Sequence, residues 1–450
     1  MPSRRRIPLL VVLAAVVTAT GVVSSLGRAQ NPSALPSVLG ATGSVESAAL
    51  YCTGLTSARY GAVGHVTLMN TTGQPREVTV NASSDKGLKW TTQLSIPGYS
   101  TQTVNPAQEI AGDSFGMTAL VSGGGVVGVA ATSMRGTEAP CITTGEKTWY
   151  AAGFDTLVGS QAALNIYNPT ATPAVLNVTT YSASGFSAPA PFQGLSVGPH
   201  GQARLDLGAQ VVATANFGVR VNVLRGVVAV VGVQKSGTRI SFNTGSLQPI
   251  TTAVFPRVTT ANQSTAQIRI ANAGPLAATV TLNVTLAPYT LSPLTETVAP
   301  FSSGLVTITP NPAIPAAGYA SVLMNSSEPV TAALLTGNPS GTSLSASGST
   351  SSNFVVGDVY GQGYDAAALT NVSSRPITVV ASISRGRGQT PTSQSATIAG
   401  NSTAGFQSLF NQNLRGSTVV LRSSEPSLQV TLTLPTNPAG TILIEALDGR

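Results

Sequence analysis

Gly112-Asp-Ser-Phe-Gly116 matches the Gly-x-Ser-x-Gly pattern of a nucleophile elbow. With Asp155 and His200 it supplies Ser, Asp and His in the chain order of α/β-hydrolases. An elbow holds its serine on a strained turn between a strand and a helix. Here the residues that follow, Met117-Thr-Ala-Leu-Val121, read as a strand, and Phe-Gly recurs at Phe217-Gly218 with Asn216 in the serine's place. The pattern is therefore a feature that precedes a strand, and a hydrolase with an unrecognised site is the weakest functional reading. Ser83-Ser-Asp-Lys86 and Lys235-Ser-Gly237 resemble the Ser-x-x-Lys and Lys-Thr-Gly boxes of penicillin-binding enzymes. Both fall at turns of sheet-forming segments, without the helix that such a serine opens.

His65 and His200 are the only histidines and stand far apart, so no zinc or transition-metal site is expected, and no cofactor. Glu146 and Asp155 are too few carboxylates for calcium at a junction. Cys52 and Cys141 are the only cysteines and frame one segment of the chain. An even pair with no Cys-x-x-Cys spacing in an exported protein reads as a disulfide. Closing so long a loop contributes about 4 kcal/mol in the chain-entropy model. Aromatic residues are 5% of the chain. Trp149 and Tyr150 read as core, whereas Trp90, Tyr99 and Tyr289 could line a shallow ligand site by stacking on a sugar face.

The elements that position these residues are strands. Leu164, Ile166 and then Ala174, Leu176, Val178 alternate on either side of an Asn-Pro-Thr-Ala-Thr-Pro connection, which predicts strand, turn, strand. The unit recurs around Asn70, Asn168, Asn272 and Asn371. These turn asparagines stand 98, 104 and 99 residues apart (70 to 168, 168 to 272, 272 to 371). Four copies of one module of about one hundred residues follow. Within each copy the later strands, such as Phe217–Val223 and Gly226–Val231 around Leu224-Arg225-Gly226, are expected to form a hairpin. Seven or eight short strands per copy with frequent turns predict an immunoglobulin-like antiparallel sandwich. The expected fold is all-β: a tandem array of four such domains, at 49–145, 146–250, 251–345 and 353–446. The Ser/Thr/Gly tract 341–352 is either a linker or a polar edge strand with its loop.

Composition agrees. Charged residues are 9% of the 450, while Gly (46) and Pro (29) are plentiful. The net charge of +7 is concentrated at the start of the chain; without Arg4, Arg5, Arg6 and Arg28 it is 19 basic against 16 acidic residues. No basic run or aromatic-basic interleaving remains, which argues against nucleic acid as a partner. Residues 1–30 read as an export segment, Arg4–Arg6 followed by 20 uncharged residues from Ile7 to Leu26, long enough to cross about 30 Å of hydrocarbon as a helix. A cleaved signal peptide and an uncleaved membrane anchor both fit, and either sends the rest outside the cytoplasm. Residues 31–48 read as a flexible linker.

The Arg-led hydrophobic start, Trp149-Tyr150-Ala-Ala-Gly153, Leu164-Asn-Ile-Tyr-Asn-Pro169 and Gly226-Val-Val-Ala-Val230 together resemble a family of actinobacterial envelope proteins known only as a domain of unknown function. The resemblance implies export to the cell envelope and brings no catalytic residues. The expected function is a non-catalytic envelope scaffold presenting surfaces to protein or cell-wall partners, with a glycan-binding accessory role in envelope assembly as the alternative.

Overall fold

The computed structural model describes residues 47–60, 63–132, 139–237, 239–258, 265–286, 289–308, 320–338, 341–346, 353–357, 366–384, 391–411, 418–433 and 441–442. The expected export segment 1–30 and nearly all of the expected linker lie outside them. Among the described residues no helix is long and apolar enough to cross a membrane.

The chain is all-β, and every strand pairing among the described residues is antiparallel. The first segment contains β1 (Ser47–Thr56), β2 (Gly64–Asn70), β3 (Arg76–Ser84), β4 (Lys89–Ile96), β5 (Thr101–Val104), β6 (Ser114–Ser122), β7 (Val126–Thr132) and β8 (Ala139–Pro140). They form two sheets, ordered β1-β6-β3-β4 and β5-β2-β7-β8. The second contains β9 (Thr148–Phe154), β10 (Ser160–Tyr167), β11 (Ala174–Ser182), β12 (Gly185–Ser187), β13 (Leu195–Val197), β14 (Gln202–Asp206), β15 (Phe217–Arg225), β16 (Ala229–Ser236) and β17 (Arg239–Asn243). Its sheets run β12-β11-β15-β9, with β13 on β11, and β14-β10-β16-β17.

The third segment contains β18 (Ile250–Val258), β19 (Thr265–Asn272), β20 (Ala278–Leu286), β21 (Tyr289–Thr290), β22 (Leu294–Val298), β23 (Ser302–Ile308), β24 (Ala320–Asn338) and β25 (Gly341–Ala346). Here β24 runs unbroken through both layers. Its first half pairs with β18 and β20 and its second half with β19 and β25, fusing the two sheets into one of eight strands. The polar tract after Gly341 thus begins as an edge strand. The fourth segment has β26 (Asn353–Gly357), β27 (Ala366–Asn371), β28 (Ile377–Ser384), β29 (Thr392–Ile398), β30 (Ser402–Gly405), β31 (Thr418–Ser423), β32 (Leu428–Thr433) and β33 (Thr441–Ile442). Its sheets run β26-β31-β28-β29 and β30-β27-β32-β33.

The expected hairpins are not hairpins. β15 and β16 belong to different sheets, as do β6 and β7 and β31 and β32, so Leu224-Arg225-Gly226 and its counterparts there are arches from one layer to the other, while in the third segment the two expected strands are one, β24. Alternation still sets the faces. Along β11, Ala174, Leu176, Val178 and Thr180 point inward and the residues between them are less buried. The inward sets of paired layers meet as cores, for example Trp149, Leu164, Ile166, Leu176, Val178, Val219, Val221 and Val230.

Neighbouring segments also share cores. Val231, Val233, Ile240 and Phe242 of the second join the core of the first, and Ala333 and Leu335 of the third join that of the second. Ala131 of β7 packs into the core of the fourth segment, and Met69 and Val127 pack with Val420. The first and last segments therefore share a packed surface, which a simple end-to-end array would not give. A disulfide joins Cys52 of β1 to Cys141 just past β8, with Cα atoms 4.4 Å apart. It ties the edge of one sheet to the edge of the other.

Candidate functional site

Each of the four turn asparagines is fully buried and makes the same set of hydrogen bonds. Asn168 Nδ2 donates to Thr172 O at 2.7 Å, Val197 O at 3.1 Å and Gly198 O at 2.9 Å, while Oδ1 accepts from Thr170 N at 3.0 Å. Asn70 serves Gln74, Ile96, Pro97 and Thr72 in this way. Asn272 serves Leu276, Val298, Ala299 and Gly274. Asn371 serves Arg375, Ile398, Ala399 and Ser373. The carboxamide thus closes its own turn and pins a second, distant turn to it. That second turn carries a non-glycine residue with positive φ in every copy: Tyr99, His200, Phe301 and Asn401, at φ 52, 47, 52 and 49. Each donates its backbone N–H to the asparagine turn, to Thr72 O, Thr170 O, Gly274 O and Ser373 O respectively. Asn and His are the residues that visit this conformation most readily, whereas Tyr and Phe adopt it at a strain of about 1 kcal/mol or more.

The residues that could have done hydrolytic chemistry do structural work. Ser114 opens β6 and is fully buried, and its Oγ accepts from Gln202 Nε2 at 3.5 Å rather than from a histidine. His200 is exposed in its turn. Asp155 is buried and bound to Arg269, with Nη1 to Oδ2 at 3.4 Å; the same Nη1 donates to Gly153 O at 2.9 Å. Gln234 brackets the Asp155 backbone in both directions at 3.1 Å. Burial pulls the Arg269 guanidinium below its ordinary pKa, and Asp155 counters that pull. This pair crosses from the second segment to the third. Arg269→Met should destabilise the protein by about 3 kcal/mol, because it strands a buried carboxylate. A second change, Asp155→Leu, should restore most of the loss in thermal unfolding; equal stability of the single and double variants would contradict this.

Ser83 is buried and Lys86 lies in the turn after β3, while Lys235 lies near the end of β16. His65 heads β2, and burial lowers its pKa against a hydrogen bond with Val63. Among the described residues no three His, Cys, Asp or Glu side chains gather as a metal site.

Glu146 is buried at the start of the second segment, and its Oε2 has no hydrogen-bond partner. Burial raises its pKa well above the ordinary carboxylate value. The folded protein therefore holds this proton more tightly than the unfolded chain. Its stability contribution is complete below the unfolded pKa and is lost as pH rises through the folded one. Glu146→Gln should add about 1–2 kcal/mol at neutral pH and flatten the decline of stability with pH. An unchanged pH profile in thermal unfolding would contradict it.

Of the aromatic candidates, Trp90 on β4 is partly buried against the first core. Tyr99 lies over Gly73, where its ring caps the Asn70 turn. Tyr289 is placed as backbone in β21, and its side chain lies outside the described residues.

Two surfaces stand out that sequence reasoning missed. Phe186 of β12 and Phe301 meet edge to face at 5.9 Å, with 63% and 39% of their surfaces exposed. Second, an open crevice of about 220 Å³ lies where the second segment meets the third. It is lined by Tyr150 and Pro249, by the turn Ala273, Gly274, Pro275 and Leu276, and by Glu328 and Pro329. Arg220 lies over the Tyr150 ring, 5.5 Å from its centroid. Tyr150, expected in the core with Trp149, is only half-buried. Trp149 is indeed buried, its Nε1 donating to Thr244 O at 2.6 Å, whereas strand alternation sends Tyr150 to the opposite face.

A family of unknown function (DUF5719) matches residues 111–406. No curated protein matches the chain. Among solved structures, the tetra-tandem repeat in the extending region of a large adhesion protein covers 90% of this chain and 100% of its own at 12% identity and a TM-score of 0.13. The chicken CNTN1 FN1-FN3 domains cover 67% and 96% at 9% identity and a TM-score of 0.09. At those scores neither likeness carries an argument.

Proposed function

We propose, from the premise that this chain belongs to the DUF5719 family of unknown function, that it is a non-catalytic extracytoplasmic scaffold of the cell envelope. In this reading four immunoglobulin-like sandwiches, at 49–145, 146–250, 251–345 and 353–446, follow an N-terminal hydrophobic helix that is either cleaved or kept as an anchor. Their surfaces meet protein or cell-wall partners. The observation that carries the reading is the buried asparagine with its bonded turns, met four times at nearly equal spacing. Repetition of a whole module multiplies surface, and its four buried asparagines are occupied in holding the fold. The Cys52–Cys141 bond adds weak support for an oxidising compartment.

The test is cell fractionation followed by photo-crosslinking in intact cells, with the photoreactive residue placed at exposed positions such as Val212 and Leu224. Recovery with the envelope and crosslinks to envelope protein or cell wall are expected. A cytoplasmic location, or labelling of Ser114 by a serine-hydrolase probe, would overturn the reading. The exposed Phe186–Phe301 pair favours one second reading, an accessory protein that stacks these rings on a glycan. Binding on a glycan array that is lost in Phe186→Ala with unchanged stability would establish it.

A further inference from the structure

The crevice between Tyr150 and the third segment's turns has a counterpart one module earlier, and that counterpart is filled. There Gly145 precedes Glu146, which bridges to Val228, as Pro249 precedes Ile250, which pairs with Val330. A side chain at Gly145 would strike Val227 and touch the Pro169 ring, so the bare glycine lets Val227 close over it. In the third segment a proline occupies the glycine's position and Glu328-Pro329 replace Gly226-Val227. Pro249 lines the open crevice beside the Ala273–Leu276 turn and Glu328-Pro329 of β24.

Its lining selects the occupant. Tyr150, Pro249, Pro275 and Pro329 present rigid, flat apolar faces, and Leu276 is 58% exposed at the rim. Glu328 is the one charged residue in the lining, and among the described residues its carboxylate has no ion pair. Aromatic and proline ridges suit a polyproline II segment, which is already extended in solution and loses little entropy on binding. A lone carboxylate at the edge of such a site pairs with a cation.

We infer that this crevice binds an extended, proline-containing peptide segment of a partner protein, with a Lys or Arg of that segment paired to Glu328. The inference rests on the reading of the protein as a non-catalytic scaffold and names its partner class. The probe is a fluorescein-labelled peptide containing Pro-Pro-Arg-Pro-Pro, titrated with the full chain and followed by fluorescence anisotropy. Saturable binding is expected. Glu328→Lys should weaken it at least tenfold, Ala273→Trp should abolish it by filling the crevice, and the peptide with Glu in place of Arg should not bind. Glu328 is half-buried on β24 and belongs to none of the hydrophobic cores, so Glu328→Lys keeps the test decisive if Ala273→Trp fails to fold. No binding, binding indifferent to Glu328→Lys, or displacement of the peptide by a neutral oligosaccharide would overturn the inference. Crosslinks to envelope partners that persist in Glu328→Lys cells would overturn it while leaving the scaffold reading intact.

Discussion

Replacing Asn168 by Asp is expected to cost about 4–5 kcal/mol of stability, the largest effect of any single substitution considered for this chain. The Nδ2 group of the fully buried Asn168 donates to three carbonyls, those of Thr172, Val197 and Gly198. A carboxylate there would remove all three donors and set negative charge against three carbonyl oxygens. The penalty should ease at low pH, because burial against carbonyl oxygens raises the new carboxyl group's pKa in the folded state, and protonation then removes the charge. Asn168→Ala lacks the charge and should cost less, about 3 kcal/mol, chiefly from buried carbonyls left without donors. Denaturant unfolding at neutral and acidic pH checks both values. An Asn168→Asp variant within about 1 kcal/mol of the parent would show that the turn is not held in this way.

The second large effect concerns the disulfide. Cys52 and Cys141 are 89 positions apart, so their bond removes much of the freedom of the unfolded first segment. The Cys52→Ala/Cys141→Ala double variant should lose about 4 kcal/mol, a large share of the margin by which a domain of this size folds. The loss should show in unfolding of the first segment and in the surfaces that pack on it, since Val231 and Phe242 share its core. Intact mass under non-reducing conditions should find the parent two hydrogens lighter than its reduced form. Equal unfolding midpoints for parent and double variant would contradict the account.

Much of this fold was legible in the residues because it is written locally and then repeated. Period-two alternation marked the strands, prolines and glycines marked their ends, and the spacing of four asparagines revealed the copies. The pairing of two lone cysteines followed from their number and position. Sheet membership was not legible. Whether β15 and β16 pair with each other or with strands dozens of residues away depends on which layer each joins, and alternation carries no such information. The same limit hid the Arg269–Asp155 pair, whose partners lie 114 residues apart, and the Phe186–Phe301 contact. The crevice was hidden for another reason. Pro249 in its lining stands at the position of Gly145, over which Val227 closes, a difference of one residue that means nothing until the two junctions are compared in space.

Close approach between modules depends on a similar detail. Gly116 and Gly218 occupy the same place in β6 and β15; a side chain at either would overlap the next segment, at Tyr167 and Ala271 respectively. The Tyr167 hydroxyl can then reach Thr118 Oγ1 at 2.8 Å, and Gln202 reaches Thr53 and Ser114. Phe-Gly, expected just before a strand, lies within the first residues of β6 and β15, and its recurrence has a packing cause. The serine beside it is buried by that same packing.

The most direct measurement of the central claim, one asparagine-pinned module used four times, is hydrogen exchange of side-chain amides in selectively asparagine-labelled protein. The account predicts that the carboxamides of Asn70, Asn168, Asn272 and Asn371 exchange slowly as a set, each signal disappearing in the matching Asn→Asp variant. Fast exchange of any of the four in the folded protein would contradict it.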